Sequence, residues 1–189
     1  MLYTRKGDKG TTKLFDCPQG IRLSKSEVIF EALGTLDELN SSIGYAKVLS
    51  KKVNDTVYID TKKVSYEVIL EKLQQNLFCI QAELAGSKIT LTQEHIVYLE
   101  QVIFEIESVL PPITTFKIAG GGDTGAYLDI TRTIARRTER SVVSVRDKKG
   151  HKVSDLSIQF LNRLSSVLYA LARFANYQEG YTEGKPNYS

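Results

Sequence analysis

The sequence has only two cysteines, and that scarcity excludes several things at once. Cys17 and Cys79 stand far apart, neither belongs to a CxxC pair, and neither has a histidine at metal-ligand spacing. Neither a disulfide framework nor a zinc site is therefore expected, and a reducing cytoplasm is the simplest compartment. Histidine is as sparse: His95 and His151 have no acid or nucleophile at a telling spacing, and both read as structural or surface residues. GxSxG and HExxH are absent, which sets aside the common hydrolase and metalloprotease classes. No metal-ligating residue is assigned. No uncharged run reaches the ~20 apolar residues of a membrane span. The polar start MLYTRKGDKG has neither a secretory core nor an import helix, so a soluble protein retained where it is made is expected, without a membrane partner. The formal charge of +3 is too small to announce nucleic acid as a partner.

What is present is an ordinary globular composition, 42% hydrophobic and 25% charged over 189 residues, sized for one domain. Apolar residues at Ile29, Leu33, Leu36, Leu39, Ile43 and Ala46 give a helical stripe from Glu27 to about Leu49. The lysine-rich KKVNDTVYIDTKK that follows has no sustained period and reads as loop or frayed helix. Ile69, Leu73, Leu77, Ile80 and Leu84 mark a second helix over Val64 to Ala85, stopped by Gly86. A third runs from a Thr92 cap through Ile96, Leu99, Ile103 and Ile106 to Pro111-Pro112. After Gly120 to Gly122, a mobile or closely packed loop with Asp123 and Thr124 as candidate caps, Ala126, Ile130, Ile134 and Val142 form the apolar stripe of a fourth helix. Ile158, Leu161, Leu164, Leu168, Leu171 and Ala175 form that of a fifth, ending near Gly180. Five helical patterns, no convincing alternating strand and no repeat predict an all-α, up-and-down five-helix bundle. Residues 1–26 are a non-periodic loop wrapping the bundle of 27–180, and 181–189 a flexible tail.

Three constellations carry candidate chemistry. TRKGDKGTTK sets Gly7 and Gly10 among Arg5, Lys6, Lys9 and Lys13, with Thr11 and Thr12 beside them. Glycine turns that converge backbone N–H groups, neutralised by nearby cations, suit a polyphosphate; a solvated basic arm has the same composition. The segment does not match the Walker pattern GxxxxGK[ST]. RTIARRTER repeats Arg132, Arg136 and Arg140 one turn apart, with Arg137 and Glu139 between. These guanidinium groups can fork onto phosphate from one face, or line a salt-bridged surface. Asp37, Glu38, Asn40 and Ser41 share two turns of the first helix and suit either a facing charge, with Arg132 or Arg136 as candidates, or a plain surface patch. Phe116, before the glycines, fits a core anchor better than a ligand-facing ring on sequence alone.

Taken together, TRKGDKGTTKLFD, Lys25, EALGTLDELNSSIGYA, RTIARRTER and FLNRLSSVLYALARFA resemble the corrinoid adenosyltransferase family, in its trimeric five-helix-bundle ATP:cob(I)alamin type, from Tyr3 to about Gly180. The resemblance implies transfer of the 5′-deoxyadenosyl group of ATP to the cobalt of a reduced corrinoid, with magnesium on the triphosphate and ATP held between subunits of a homotrimer. By matching position it implies that Thr4, Arg5, Lys6, Gly7, Thr12, Lys13 and Lys25 bind ATP from the loop, and that Arg136, Arg137, Glu139, Arg140 and Asn162 complete that site. Arg132 matches an arginine paired with an acid of a neighbouring subunit, for which Asp37 is the match. Phe116 matches an aromatic that closes the lower face of four-coordinate Co(II), which displaces the core reading. Ala119, Asp129 and Ser166 depart from the family pattern, where proline, histidine and aspartate are frequent, and all three fall on the corrinoid side. A corrinoid reductase and an adenosylcobalamin-dependent client are the partners implied. The alternative function is a non-catalytic, ATP-responsive corrinoid sensor or delivery protein.

Overall fold

In the computed structural model, which describes residues 3–53, 56–59, 61–148 and 152–188, five helices carry the fold. They are α1 (Val28–Val53), α2 (Tyr66–Leu84), α3 (Gln93–Val109), α4 (Asp123–Arg146) and α5 (Asp155–Gln178). Their ends follow local chemistry. The Ser65 and Ser154 hydroxyls accept from the Val68 and Ser157 amides as N-caps of α2 and α5. His95 is structural, as expected, closing a capping box with Thr92 at the start of α3. His151 lies outside the described residues.

Consecutive helices alternate in direction. Glu38 meets Arg137 and Thr35 meets Thr138 across α1 and α4, and Glu139 meets Asn162 across α4 and α5. The side-to-side order is α2, α1, α4, α5, α3. The core is aliphatic, with Phe160 fully enclosed and the Tyr66 hydroxyl donating to the Leu171 carbonyl. Among the described residues no helix is long and apolar enough to cross a membrane.

Three expectations need correction. The lysine-rich connection is a hairpin, β3 (Thr56–Ile59) with β4 (Lys62–Ser65), whose Val57 and Ile59 alternate into the core beside α3. Lysines crowd the short alternation and hide it from a count of apolar residues. On α4 the buried seam is Leu128, Thr131, Ala135, Thr138, Val142 and Val145, while Ile130 of the expected stripe is 54% exposed. Two threonines can occupy the seam because their hydroxyls are satisfied inside it: Thr131 bonds to Ser42 and to the Tyr127 carbonyl, and Thr138 to the Thr35 carbonyl. Finally, the chain after α5 is docked. The Tyr181 amide donates to the Asn176 carbonyl at 2.8 Å, and the Ile118 amide to the Gly184 carbonyl at 2.9 Å.

Ahead of α1, strands β1 (Thr11–Thr12) and β2 (Leu23–Ser24) pair antiparallel. Phe15 donates to the Ala85 carbonyl, pinning this basic segment to the last turn of α2, and the Asp16 side chain fills the space over Gly86.

Candidate active site

The outward face of α4 and α5 borders a cavity of about 940 Å³. Asp129, Arg132 and Arg136 reach it from successive turns of α4, and Ser165, Ser166 and Tyr169 from α5. Residues 113–119 form one irregular wall, which carries Phe116, and Lys185, Pro186 and Tyr188 of the C-terminal segment form another. A volume this size takes a large organic ligand. Phe116 is 81% exposed, so it is a cavity-lining ring rather than a core anchor.

The charges inside are organised by one pair. Arg132 Nε donates to Asp129 Oδ1 at 2.5 Å, and the guanidinium lies 5.6 Å from the centroid of the Tyr169 ring. Bonding through Nε leaves both terminal nitrogens of Arg132 for another acceptor. Burial raises the Tyr169 phenol above its usual range; Glu183 and Asp129 raise it further, while Arg173 and Arg132 oppose them. It therefore stays protonated at neutral pH and can donate a hydrogen bond. Asp37 has no ion pair among the described residues, and of the two acids in this patch of α1 it is Glu38 that meets an arginine, Arg137 rather than Arg132 or Arg136. Asn40 faces no charge: its side chain accepts from Gln74 at 2.8 Å.

The glycine loop is the closely packed alternative of the two expected. Asn176 of α5 accepts from the Gly122 amide and donates to the Gly120 carbonyl. At Gly121, where φ is +117, a Cβ would stand 2.1 Å from Asn176 Oδ1, so only glycine fits. This fixes the residues 113–119 wall relative to the start of α4. The cap itself is Gly122, with Asp123 the first helical residue and Thr124 buried.

The nucleotide candidates fall into two groups. In the basic segment, Lys25 donates its amide to the Gly10 carbonyl, and its ammonium lies over Gly7, 3.1 Å from where a Cβ would be. Arg22 bonds to the Thr11 hydroxyl and carbonyl, which fixes the hairpin and leaves Thr12 and Lys13 beside it. Arg5 sits at φ +58, in the left-handed region that few non-glycine residues adopt. Thr4, Arg5, Lys6, Lys13 and Lys25 are exposed, and no ion pair among the described residues neutralises the four cations. In the second group, Asn162 donates to Glu139 at 3.0 Å, and Arg140 to the Arg136 carbonyl. No hydrogen bond or ion pair among the described residues joins the two groups.

Sequence reasoning missed Tyr169, Arg173, Glu183 and the C-terminal wall. A lone arginine in LYALARFA was the one available signal, because a charge flanked by apolar residues must find a partner.

A family model described as cobalamin adenosyltransferase matches residues 2–175. Corrinoid adenosyltransferase MMAB of Bos taurus is 35% identical over 192 residues, covering 96% of this chain and 74% of that protein. The corrinoid adenosyltransferase of Mycobacterium leprae is 33% identical over 189 residues, covering 93% and 91%. Among solved structures, a phenylalanine-to-histidine variant of a PduO-type ATP:corrinoid adenosyltransferase from Lactobacillus reuteri, complexed with cobalamin and ATP, superposes with a TM-score of 0.85 at 30% identity. The match covers 100% of this chain and 97% of that one.

Proposed function

The chain belongs to the cobalamin adenosyltransferase family, and on that premise we infer that it transfers the 5′-deoxyadenosyl group of ATP to the cobalt of cob(I)alamin. The carrying observation is the cavity that gathers Phe116, Arg132 and Arg136 on one face of the bundle. Co(I) attacks C5′, the cobalt–carbon bond forms, the C5′–oxygen bond breaks, and triphosphate leaves with the electron pair. Co(I) is already a strong nucleophile, so no general base is needed; alignment of C5′ and cationic stabilisation of the departing triphosphate do the catalytic work. In this reading Phe116 meets the corrinoid, Arg132 and Asp37 bracket the reacting centre, and the phosphates meet Thr4, Arg5, Lys6, Gly7, Thr12, Lys13 and Lys25 together with Arg136, Arg137, Glu139, Arg140 and Asn162.

Magnesium fits as part of the nucleotide substrate. Among the described residues no group of three or more His, Cys, Asp or Glu could cage a metal, whereas magnesium keeps waters and phosphate oxygens as ligands. The homotrimer, with ATP between subunits, is supported by the lack of any hydrogen bond or ion pair joining the two nucleotide groups, or of any ion pair to Asp37, among the described residues, and by exposed Ile130 on α4. Residues 1–189 act as one domain in this reading. Free Cys17 and Cys79 fit a reducing cytoplasm. A reductase that supplies Co(I) and an enzyme that consumes adenosylcobalamin are the partners the reaction calls for.

The test mixes two variants each impaired at limiting MgATP, Lys25→Ala and Arg136→Ala, after unfolding and reassembly. Activity is read as a light-labile alkylcobalamin with triphosphate released. Recovery of activity in the mixture supports sites built from two subunits; mixed oligomers with no recovery would overturn that arrangement. Wild-type protein that binds MgATP and corrinoid but forms no product would instead favour the sensor or delivery function.

A further inference from the structure

Arg173 is 7% exposed on α5, set between Leu171 and Phe174. Burying a guanidinium costs several kilocalories per mole unless its donors are met. Here Nε and Nη2 are met by two irregular segments and not by another helix. Nε donates to both oxygens of Glu183, at 2.9 and 3.1 Å, and Nη2 donates to the Pro111 carbonyl at 3.1 Å. Lys117 Nζ stands 3.9 Å from the same carboxylate. One residue further on, the Gly184 carbonyl accepts the Ile118 amide. The segment carrying Phe116 and the chain end carrying Lys185 and Pro186 are thus tied to each other and to α5 around one buried ion pair. Neither Arg173 nor Glu183 lines the large cavity; both lie behind its wall, bordering a small void beside the glycine loop.

We propose that the Arg173–Glu183 pair is a clasp that positions the Phe116 wall and the C-terminal wall against the corrinoid, making both of them positioning residues for the cobalt side of the reaction. The proposal rests on reading the 940 Å³ cavity as the corrinoid site. Its chemistry follows from geometry. A largely buried, hydrogen-bonded ion pair has a narrow range of favourable positions, so it fixes two otherwise irregular stretches where a hydrophobic contact would let them slide. The basic N-terminal hairpin makes no hydrogen bond or ion pair with the clasp among the described residues, so the hairpin half of the nucleotide site is independent of it.

The experiment compares Glu183→Gln with wild type in steady-state alkylation of cob(I)alamin, varying corrinoid and MgATP separately. Displacing a positioning wall by about 1 Å costs on the order of tenfold to a hundredfold, and this is expected in KM or kcat/KM for corrinoid, with KM for MgATP within about twofold. Adding Phe116→Ala to Glu183→Gln should cost far less than Phe116→Ala alone, because the ring is already out of place. Hydrogen exchange should rise together in 113–119 and 181–188 while the helices stay protected. Unchanged corrinoid kinetics, an equal rise in both KM values, or strict additivity with Phe116→Ala would overturn the clasp. If Glu183→Gln does not fold, Glu183→Asp, which keeps the charge and shortens its reach, carries the same comparison. Wild-type protein without corrinoid turnover would instead refute the reading of the cavity, a result distinct from normal wild-type turnover with an indifferent Glu183→Gln.

Discussion

Replacing Phe116 by alanine separates a core role from a substrate role more sharply than any other single change. A buried phenylalanine truncated to alanine costs roughly 3–5 kcal/mol. Phe116 is 81% exposed, so of the roughly 200 Å² that an aromatic side chain presents only about 40 Å² is covered, worth about 1 kcal/mol at ~25 cal/mol per Å². Urea unfolding at fixed protein concentration, which keeps any assembly term constant, should therefore move by about 1 kcal/mol or less. The remaining face is free for the corrinoid. Covering a phenyl ring is worth about 1.5–3 kcal/mol, so kcat/KM for cob(I)alamin should fall by about tenfold to a hundredfold in the anaerobic alkylation assay. A stability loss near ~4 kcal/mol would refute the exposed placement. Unchanged stability with unchanged turnover would refute the contact with substrate.

Other expectations follow from the same contacts. Lys25→Ala should raise KM for MgATP by about tenfold or more with stability within about 0.5 kcal/mol, since its ammonium is exposed over Gly7 and holds no ion pair among the described residues. Gly121→Ala should lower stability by about 2–5 kcal/mol in urea, combining strain at φ +117 with loss of the Asn176 bonds. Gly20→Ala, at φ +83 with open space around it, should cost about 1 kcal/mol. Burial raises Tyr98 and Tyr169 above the ordinary tyrosine value. Each binds its proton more tightly when folded, so their contribution is complete below about pH 10 and is lost as pH rises through the folded values. Tyrosinate absorbance should accordingly show a late step that Tyr98→Phe with Tyr169→Phe removes. A late step that persists would mean other tyrosines cause it.

The sequence by itself determined the number of helices and most of their ends, because apolar spacing, serine and threonine caps, and proline or glycine stops act within a few residues of where they stand. The family motifs were legible for the same reason: the basic glycine turn and the arginine repeat of α4 are local patterns. Other features needed distant partners. The seam of α4 runs through Thr131 and Thr138, which read as polar until Ser42 and the Thr35 carbonyl are set beside them. The β3–β4 hairpin depends on Val57 and Ile59 finding the bundle. Phe116 becomes a cavity residue only through the way its loop is anchored. Tertiary structure alone decided that the C-terminal segment forms a wall, since Arg173 is buried only where α5 packs into the bundle, and its carboxylate partner, Glu183, stands ten positions on, beyond the helix.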